Sequence, residues 1–483
     1  NKLIEKVQVF SISNFLKLDR FNKCKITTPS IQKNNTVEVI NLNMPDIDLI
    51  NLSNSKCLAL NLEEFNHIKF HYNKKSLIEK RQSLGLPVQP TDIELEVIAQ
   101  SWSEHCKHKI FAAEINFTDE QDNKSTKVQS LYKTFIKDTT NKIRGKKETD
   151  WAQSVFSDNA GIVRFDPYID LCIKVETHNS PSALDPYGGS LTGILGVNRD
   201  ILGCGIGAKP IANTDVFCLA DPRDKELNEN NKLPPGLLTP RRILSGVHLG
   251  VEDGGNKSGI PTVNGAFYFD IDFAGKPLVF VGTVGVLPQK IKNIPTSLKT
   301  INNGDRVVMA GGAIGRDGIH GATFSSMELN ESSPTSAVQI GDPITQKRLA
   351  DFLLEARDLG LYTCITDNGA GGLSSSVGEM ALLSNGAEID LSLCPVKYPG
   401  LVPYELMISE SQERMTFAVD PTNLAEFLHL AIKRGVQATD IGEFNNSGNL
   451  SIKYNRELVA LLDLDFLHNT LPPMQLNAYW NGP

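Results

Sequence analysis

Hydrophobic and polar positions change their rhythm several times along the chain, and each change predicts a different kind of element. Residues 1–75 set short β-rich runs such as Val7-Gln8-Val9-Phe10 among Asn and Lys, which predicts a small α+β region. From 76 to 115 the spacing turns helical. Ile93, Val97, Ile98 and Trp102 form an apolar stripe, and Thr91 with Glu94 three residues later supplies a capping box. This helical linker is expected to carry Ser103-Glu104-His105-Cys106 at its C-terminal end. Residues 111–160 are polar and Lys-rich, read as an inserted segment with solvated charges and no site.

Between 160 and 290 β-branched runs alternate with glycine turns and end in the strand-like Leu278–Val284, predicting an α/β domain whose sheet has an exposed edge. A turn at Asn302-Asn303-Gly304-Asp305 precedes Val307–Gly312, where the alternation restarts, so a boundary is expected near 295. Leu349, Phe352, Leu353 and Ala356 have helical spacing and Gly360 sits where a C-terminal cap belongs. The expected organisation is a first domain over 116–295 with a polar insert, a second over 296–465, and a tail over 466–483.

Composition narrows the function classes. The 483 residues carry 48 basic and 56 acidic side chains, a net charge of -8, so there is no basic field for nucleic acid. Eight scattered cysteines form no C-x-x-C pair, so neither a zinc ribbon nor a disulfide framework is suggested, which favours a reducing, cytoplasmic setting. No apolar run reaches the ~18 residues of a membrane span, and no export signal is visible. The first residue is Asn1, read as a trimmed or processed start.

The densest chemistry follows Ile169-Asp170-Leu171-Cys172-Ile173. Strand alternation puts Lys174, Glu176 and His178 on one face at ~7 Å intervals, and Leu171, Ile173 and Val175 on the other, which is expected to pack. A cation, a carboxylate and an imidazole in line suit a phosphate, a metal ion and a proton acceptor; an ordinary half-exposed strand is the alternative. After a glycine-rich turn, Arg199 could take a phosphate or carboxyl group and Asp200 a magnesium ion, unless the two are a surface pair. Gly311–Gly321 is a glycine-rich loop after a strand, of a kind whose amides bind anions, but it is neither a Walker loop nor a dinucleotide fingerprint. Asp367 is a candidate metal ligand or a turn former, and Ser409–Arg414 clusters hydrogen-bonding groups. Cys106, Cys204 and His320 are read as passive, because a nucleophilic pair is recognised by geometry and not by sequence.

Ser103–Cys106, Lys174–Ser182, Gly315–Gly321, Gln339–Pro343, Asp367–Gly372 and Ser409–Met415 occur in the order found in phosphoribosylformylglycinamidine synthases, and the chain resembles that family from about 88 to 420. The resemblance implies α/β and α+β domains in an aminoimidazole ribonucleotide synthetase-like unit, with a barrel-forming first domain and an α+β second domain. It implies an ATP-dependent carbon-nitrogen ligase of purine biosynthesis that uses Mg2+. ATP would phosphorylate the amide oxygen of formylglycinamide ribonucleotide, and ammonia from a glutaminase domain or subunit would displace phosphate.

Carried over by position, His105 matches an active-site histidine and His178 the proton acceptor, while Lys174 and His108 match ATP contacts. Glu176, Asp200 and Asp367 match magnesium ligands; Thr177, His178, Asn179, Ser180, Arg199, Gln339, Glu410, Ser411 and Gln412 match substrate contacts. Many relatives have histidine at the position of Ser180 and tyrosine at that of His108. The family's full enzyme repeats the two-domain unit, so a second synthetase half is the expected partner, and the chain by itself is expected to be silent and to pair with a copy of itself. The rival readings are a related superfamily ligase, such as the aminoimidazole ribonucleotide cyclo-ligase, and a non-catalytic nucleotide-binding half.

Overall fold

The computed structural model describes residues 37–146, 148, 150–229, 233–234, 236–326 and 338–482; the Val7–Phe10 run lies outside them. The described part before residue 75 is helical, not α+β: Asp46–Ser55 and Leu62–Tyr72 are helices, and extended structure is limited to a bridge between Val39 and Thr91. The cause is local. Asn61 and Glu64 form a capping box that starts the second of these helices.

The helix Asp92–Ser101 begins with the expected capping box, the Glu94 amide donating to Thr91 Oγ1 at 3.4 Å and the Thr91 amide to Glu94 Oε2 at 2.8 Å. It is buried on every side from Asp92 to Gln100, wedged against Pro403–Ile408, Leu373–Ser384 and Glu457–Asp463. Its acidic side chains are buried as well, and partners meet them: Glu94 pairs with Arg81 and Glu96 with His320. It stops before the Ser-Glu-His-Cys motif, however. Trp102 closes it, its indole N–H donating to the Leu467 carbonyl at 2.8 Å, and Ser103 caps a separate short helix, Glu104–Lys107, that carries His105.

A six-stranded sheet follows, in the order Ala152–Ser154, Gly161–Arg164, Ile169–Thr177, Leu278–Pro288, Lys209–Leu219, Thr262–Phe269. The helices Pro186–Gly203 and Pro240–Ser258 cover one face, where Val279, Val281, Phe217 and Leu219 pack on Ile194, Val197, Val247 and Val251. This reverses the expected packing of the Ile169–Thr177 strand. The covered face carries Asp170, Cys172 and Lys174, whereas Ile173 and Val175 are 54% and 45% exposed on the open face. The glycine-rich Pro186–Gly203 helix can lie close on the polar side, and nothing in the described chain covers the aliphatic one. What the sheet leaves open is therefore a face as well as an edge.

A seven-stranded sheet forms the second domain, in the order Cys364–Asp367, Arg414–Val419, Arg306–Gly311, Ala438–Phe444, Ala387–Asp390, Asn449–Tyr454, Glu457–Asp463. Leu349, Phe352, Leu353 and Ala356 of the Pro343–Asp358 helix are buried on one side against Phe417 and Phe427, and Gly360 takes φ 65° just past the helix end. The linker helix packs on the other side of the sheet. The expected tail holds a strand: Gln475–Trp480 pairs in parallel with Glu114–Asp119, which pairs antiparallel with Lys124–Val128. Among the described residues no helix is long and apolar enough to cross a membrane.

Candidate functional site at the domain boundary

The strand Ile169–Thr177 presents Lys174 and Glu176 on its covered face, and the Pro186–Gly203 helix brings Asp200 to meet them. Lys174 Nζ lies 3.2 Å from Glu176 Oε1 and 3.4 Å from Asp200 Oδ2. Burial works against the Lys174 charge, but Asp200 and Glu176 outweigh it and hold the ammonium above its usual range. Asp367 arrives from the other sheet, at the end of Cys364–Asp367, with Arg199 Nε 3.7 Å from its Oδ2. Burial, then Glu176, pushes Asp200 up to about 7; burial, then Asp200, pushes Asp367 up to about 6. Such carboxylates favour added positive charge.

Among the described residues no three His, Cys, Asp or Glu side chains converge into a ready metal cage. Magnesium is usually held by one or two carboxylates together with water and phosphates, so hard oxygens set pairwise around one locus fit it in kind.

His178 ends the strand and precedes the short helix Asn179–Leu184. Its Nδ1 lies 2.5 Å from the carbonyl oxygen of Gly189, which can only accept, so Nδ1 carries the hydrogen. Burial lowers its pKa to about 4, against the pull of that carbonyl, so near neutral pH the ring is uncharged and the lone pair sits on Nε2. That is the state a proton acceptor requires. Helix and histidine meet closely: a Cβ on Gly193 would lie 2.9 Å from His178 Cβ. His105 is also kept below its ordinary pKa, by desolvation first and then by His108 and Lys174, and its charge in turn lowers the pKa of His178. His108 follows in the left-handed conformation at φ 48°.

The expected substrate contacts divide into groups. Arg199, Gln339, Glu410 and Gln412 belong to one buried network spanning the domains, while Ser411 beside them donates to Asp317 Oδ1 at 2.8 Å. Arg199 NH2 donates to Gln412 Oε1 at 2.5 Å, and NH1 to Gln346 Oε1 at 3.3 Å. Gln339 Nε2 donates to Glu410 Oε2 at 2.7 Å, while the amides of Ala322 and Gly371 donate to Oε1 at 3.0 and 3.2 Å. Burial pushes Glu410 up to about 7 despite these donors. Arg199 and Asp200 are thus buried and not a surface pair. Asn179 Oδ1 accepts from the Val279 amide at 2.8 Å, and Ser180 is buried with its hydroxyl 3.3 Å from the Ser325 carbonyl. Thr177 falls, by strand alternation, on the open face with Val175.

The anion-binding reading of the glycine-rich loop is corrected for several of its amides, which have internal acceptors. Gly315 donates to Ser411 Oγ at 2.9 Å, Arg316 to the Tyr398 hydroxyl at 2.8 Å, and Gly321 to the Gly318 carbonyl at 2.9 Å. The seven described cysteines are free, and those of Cys106 and Cys204 have thiols raised by their surroundings, as passive residues should.

Sequence reasoning missed several residues here. Asn159, from the segment given no site, donates to both Asp200 and Asp367. Lys299 pairs with Asp158 beside it, and the exposed Glu379 lies within reach of the Asp367 and Lys174 charges. His320 Nε2 meets Glu96 Oε2 at 2.9 Å, tying the glycine-rich loop to the linker helix. Only the Asp158-Asn159 pair at the end of a polar run could have been singled out by residue type.

Known proteins share this arrangement. Residues 49–109 match the formylglycinamide ribonucleotide amidotransferase linker domain, 157–287 the AIR synthase related protein N-terminal domain, and 302–455 its C-terminal domain. The phosphoribosylformylglycinamidine synthase subunit PurL of Thermoplasma volcanium is 34% identical over 88% of this chain and 50% of its own length. That of Picrophilus torridus is 35% identical over 90% and 52%. PurL of Thermotoga maritima complexed with FGAR superposes with a TM-score of 0.63 at 30% identity, covering 84% of this chain and 57% of that one. The same protein complexed with ATP gives 0.60 at 28%, covering 84% and 56%. The chain spans about half the length of the curated relatives it matches. With a matching linker domain followed by both matching synthetase domains, the chain belongs to the phosphoribosylformylglycinamidine synthase family of AIR synthase-related proteins.

Proposed function

We propose that this chain supplies one synthetase half of an ATP-dependent ligase that turns formylglycinamide ribonucleotide and ammonia into formylglycinamidine ribonucleotide. The observation that carries the reading is the neutral, correctly tautomeric His178 beside Lys174, Glu176, Asp200 and Asp367 at the seam of two synthetase domains. In this reading ATP transfers its terminal phosphoryl group to the amide oxygen, ammonia adds to the activated carbon, and phosphate leaves. His178 Nε2 takes a proton from the adding amine, with His105 alongside. Lys174 and His108 meet the nucleotide. Glu176, Asp200 and Asp367 would hold magnesium, whose charge would offset that of the phosphates. Arg199, Gln339, Glu410, Ser411 and Gln412, with Asn179 and Ser180, form the wall toward the ribonucleotide, whereas Thr177, on the open face, is not part of it.

The match to the linker domain of formylglycinamide ribonucleotide amidotransferases favours this reading over the cyclo-ligase. The open aliphatic face around Ile173, Val175 and Tyr268 supports a partner that brings a sheet of its own: a second synthetase half or, for the chain alone, another copy. The test is reconstitution. The chain, a separately expressed second half from a relative, and both together are assayed with formylglycinamide ribonucleotide, ATP, magnesium and ammonium. Amidine formation only when both are present is expected, whereas nucleotide binding without turnover in any combination would reduce the chain to a binding module.

A further inference from the structure

The carboxylates of the proposed metal site are contributed by different domains. Asp200 lies on the Pro186–Gly203 helix, Asp367 ends a strand of the seven-stranded sheet, and their side chains are only 12% and 16% exposed. Lys174 and Arg199 offset part of their charge, each contacting one of the two, but the spacing of two buried like charges also needs a group that touches both. Asn159 lies between the strands Ala152–Ser154 and Gly161–Arg164, and its Nδ2 donates to Asp200 Oδ1 at 3.1 Å and to Asp367 Oδ1 at 3.0 Å.

The direction of the amide is forced. Asn159 Oδ1 lies 3.2 Å from Lys299 Nζ, which can only donate, and 3.3 Å from Thr366 Oγ1. Lys299 is itself fixed by Asp158 Oδ1 at 2.5 Å, and Asp158 Oδ2 accepts from the Gly205 amide at 2.7 Å. Asp158 is therefore occupied as a counter-ion while its neighbour faces the site. The helix makes room for it: a Cβ on Gly203 would come within 3.1 Å of Asn159 Cγ and Oδ1.

We propose that Asn159 is a positioning residue of this site, a neutral double donor that sets the Asp200 and Asp367 carboxylates side by side across the domain seam, oriented by Lys299 and Thr366. Neutrality is essential to the role. An aspartate of the same shape would present oxygens to oxygens and could be accommodated only with a cation between them. A leucine of similar volume would leave the carboxylates without a common tether.

The inference rests on the metal reading of these carboxylates, and one experiment separates the two. Mn2+ binding to the 483-residue chain is measured by electron paramagnetic resonance, with thermal melts in the presence and absence of Mn2+, for the wild type, Asn159→Leu, Asn159→Asp and Thr366→Val. Loss of a residue that orients metal ligands typically weakens affinity by about ten- to a hundred-fold, and that is expected for Asn159→Leu. Thr366→Val should shift affinity in the same direction by less. Asn159→Asp should melt lower without metal but gain more from Mn2+ than the wild type does. These opposite shifts would not arise from a merely structural asparagine. A wild type that binds no Mn2+ overturns the metal reading and the positioning role with it. A wild type that binds while the variants bind equally well overturns the positioning role alone. Should Asn159→Leu fail to fold, the sign of the Asn159→Asp response decides.

Discussion

Glu94→Gln tests how the linker segment that leads to His105 is anchored. Arg81 and Glu94 form an ion pair with neither side chain exposed, Arg81 NH1 to Oε1 at 2.6 Å and NH2 to Oε2 at 3.0 Å. The same carboxylate accepts from the Leu461 amide at 2.7 Å through Oε1 and from the Thr91 amide at 2.8 Å through Oε2. It thus ties the helix Asp92–Ser101 both to its own cap and to the second domain. In the glutamine variant, whichever oxygen becomes an NH2 group faces two donors, and Arg81 loses its counter-charge in a dry site. Removing one partner of a buried pair typically costs about 3–5 kcal/mol.

Several domains will not unfold in one step, so the readout is local: hydrogen exchange of the amides from Asp92 to Ser101. At about 1.4 kcal/mol per tenfold, their opening should become roughly a hundred- to several-thousand-fold more frequent. The control is Lys347→Ala, which breaks an ion pair whose side chains are 43% and 51% exposed and should cost less than about 1 kcal/mol. An effect of Glu94→Gln no larger than that of the control would refute the claim that this buried charge pair anchors the helix before His105.

Other expected outcomes concern the site directly. In a reconstituted assembly, His178→Ala should lower ammonia-dependent turnover by about 10²–10⁴ while leaving nucleotide affinity in place, as equilibrium binding of a fluorescent ATP analogue can show; equal loss of both would mark a structural histidine. Gly193→Ala puts a methyl group 2.9 Å from His178 Cβ, so melting temperature and turnover should both fall, with overpacking costing about 1–3 kcal/mol. Unchanged values would mean that the helix yields without moving His178. Glu410, raised to about 7 from 4.5, keeps a proton in the fold that the unfolded chain releases, so its contribution to stability is present at low pH and lost as pH rises through about 7. Glu410→Gln should therefore flatten the decline in melting temperature between about pH 5 and 8, and a slope identical to wild type would remove Glu410 as its source.

Local chemistry was legible in the sequence wherever it depended on neighbours in the chain. The Thr91–Glu94 capping box, the buried stripe of Leu349 to Ala356 and the shared side of Lys174 and Glu176 all follow from spacings of two to four residues, and the structure contains each of them. What failed depended on which surface arrives from elsewhere. Alternation correctly divided the Ile169–Thr177 strand into two faces, but the aliphatic face was expected to be the covered one. The Pro186–Gly203 helix instead lies on the polar face, because bare glycines such as Gly193 let it approach His178.

Asn159 was overlooked for a related reason. A neutral amide carries no signature of a metal site, and its partners Asp200 and Asp367 are 41 and 208 residues away in the chain. A search for charge finds the groups that repel one another; the uncharged donor that lets them coexist becomes visible only when both domains are in place. The exposed Ile173 and Val175 make the same argument on a larger scale. Their apolarity was read as a demand for cover from within the chain, whereas their exposure turns that demand outward, toward a partner that must present a matching face.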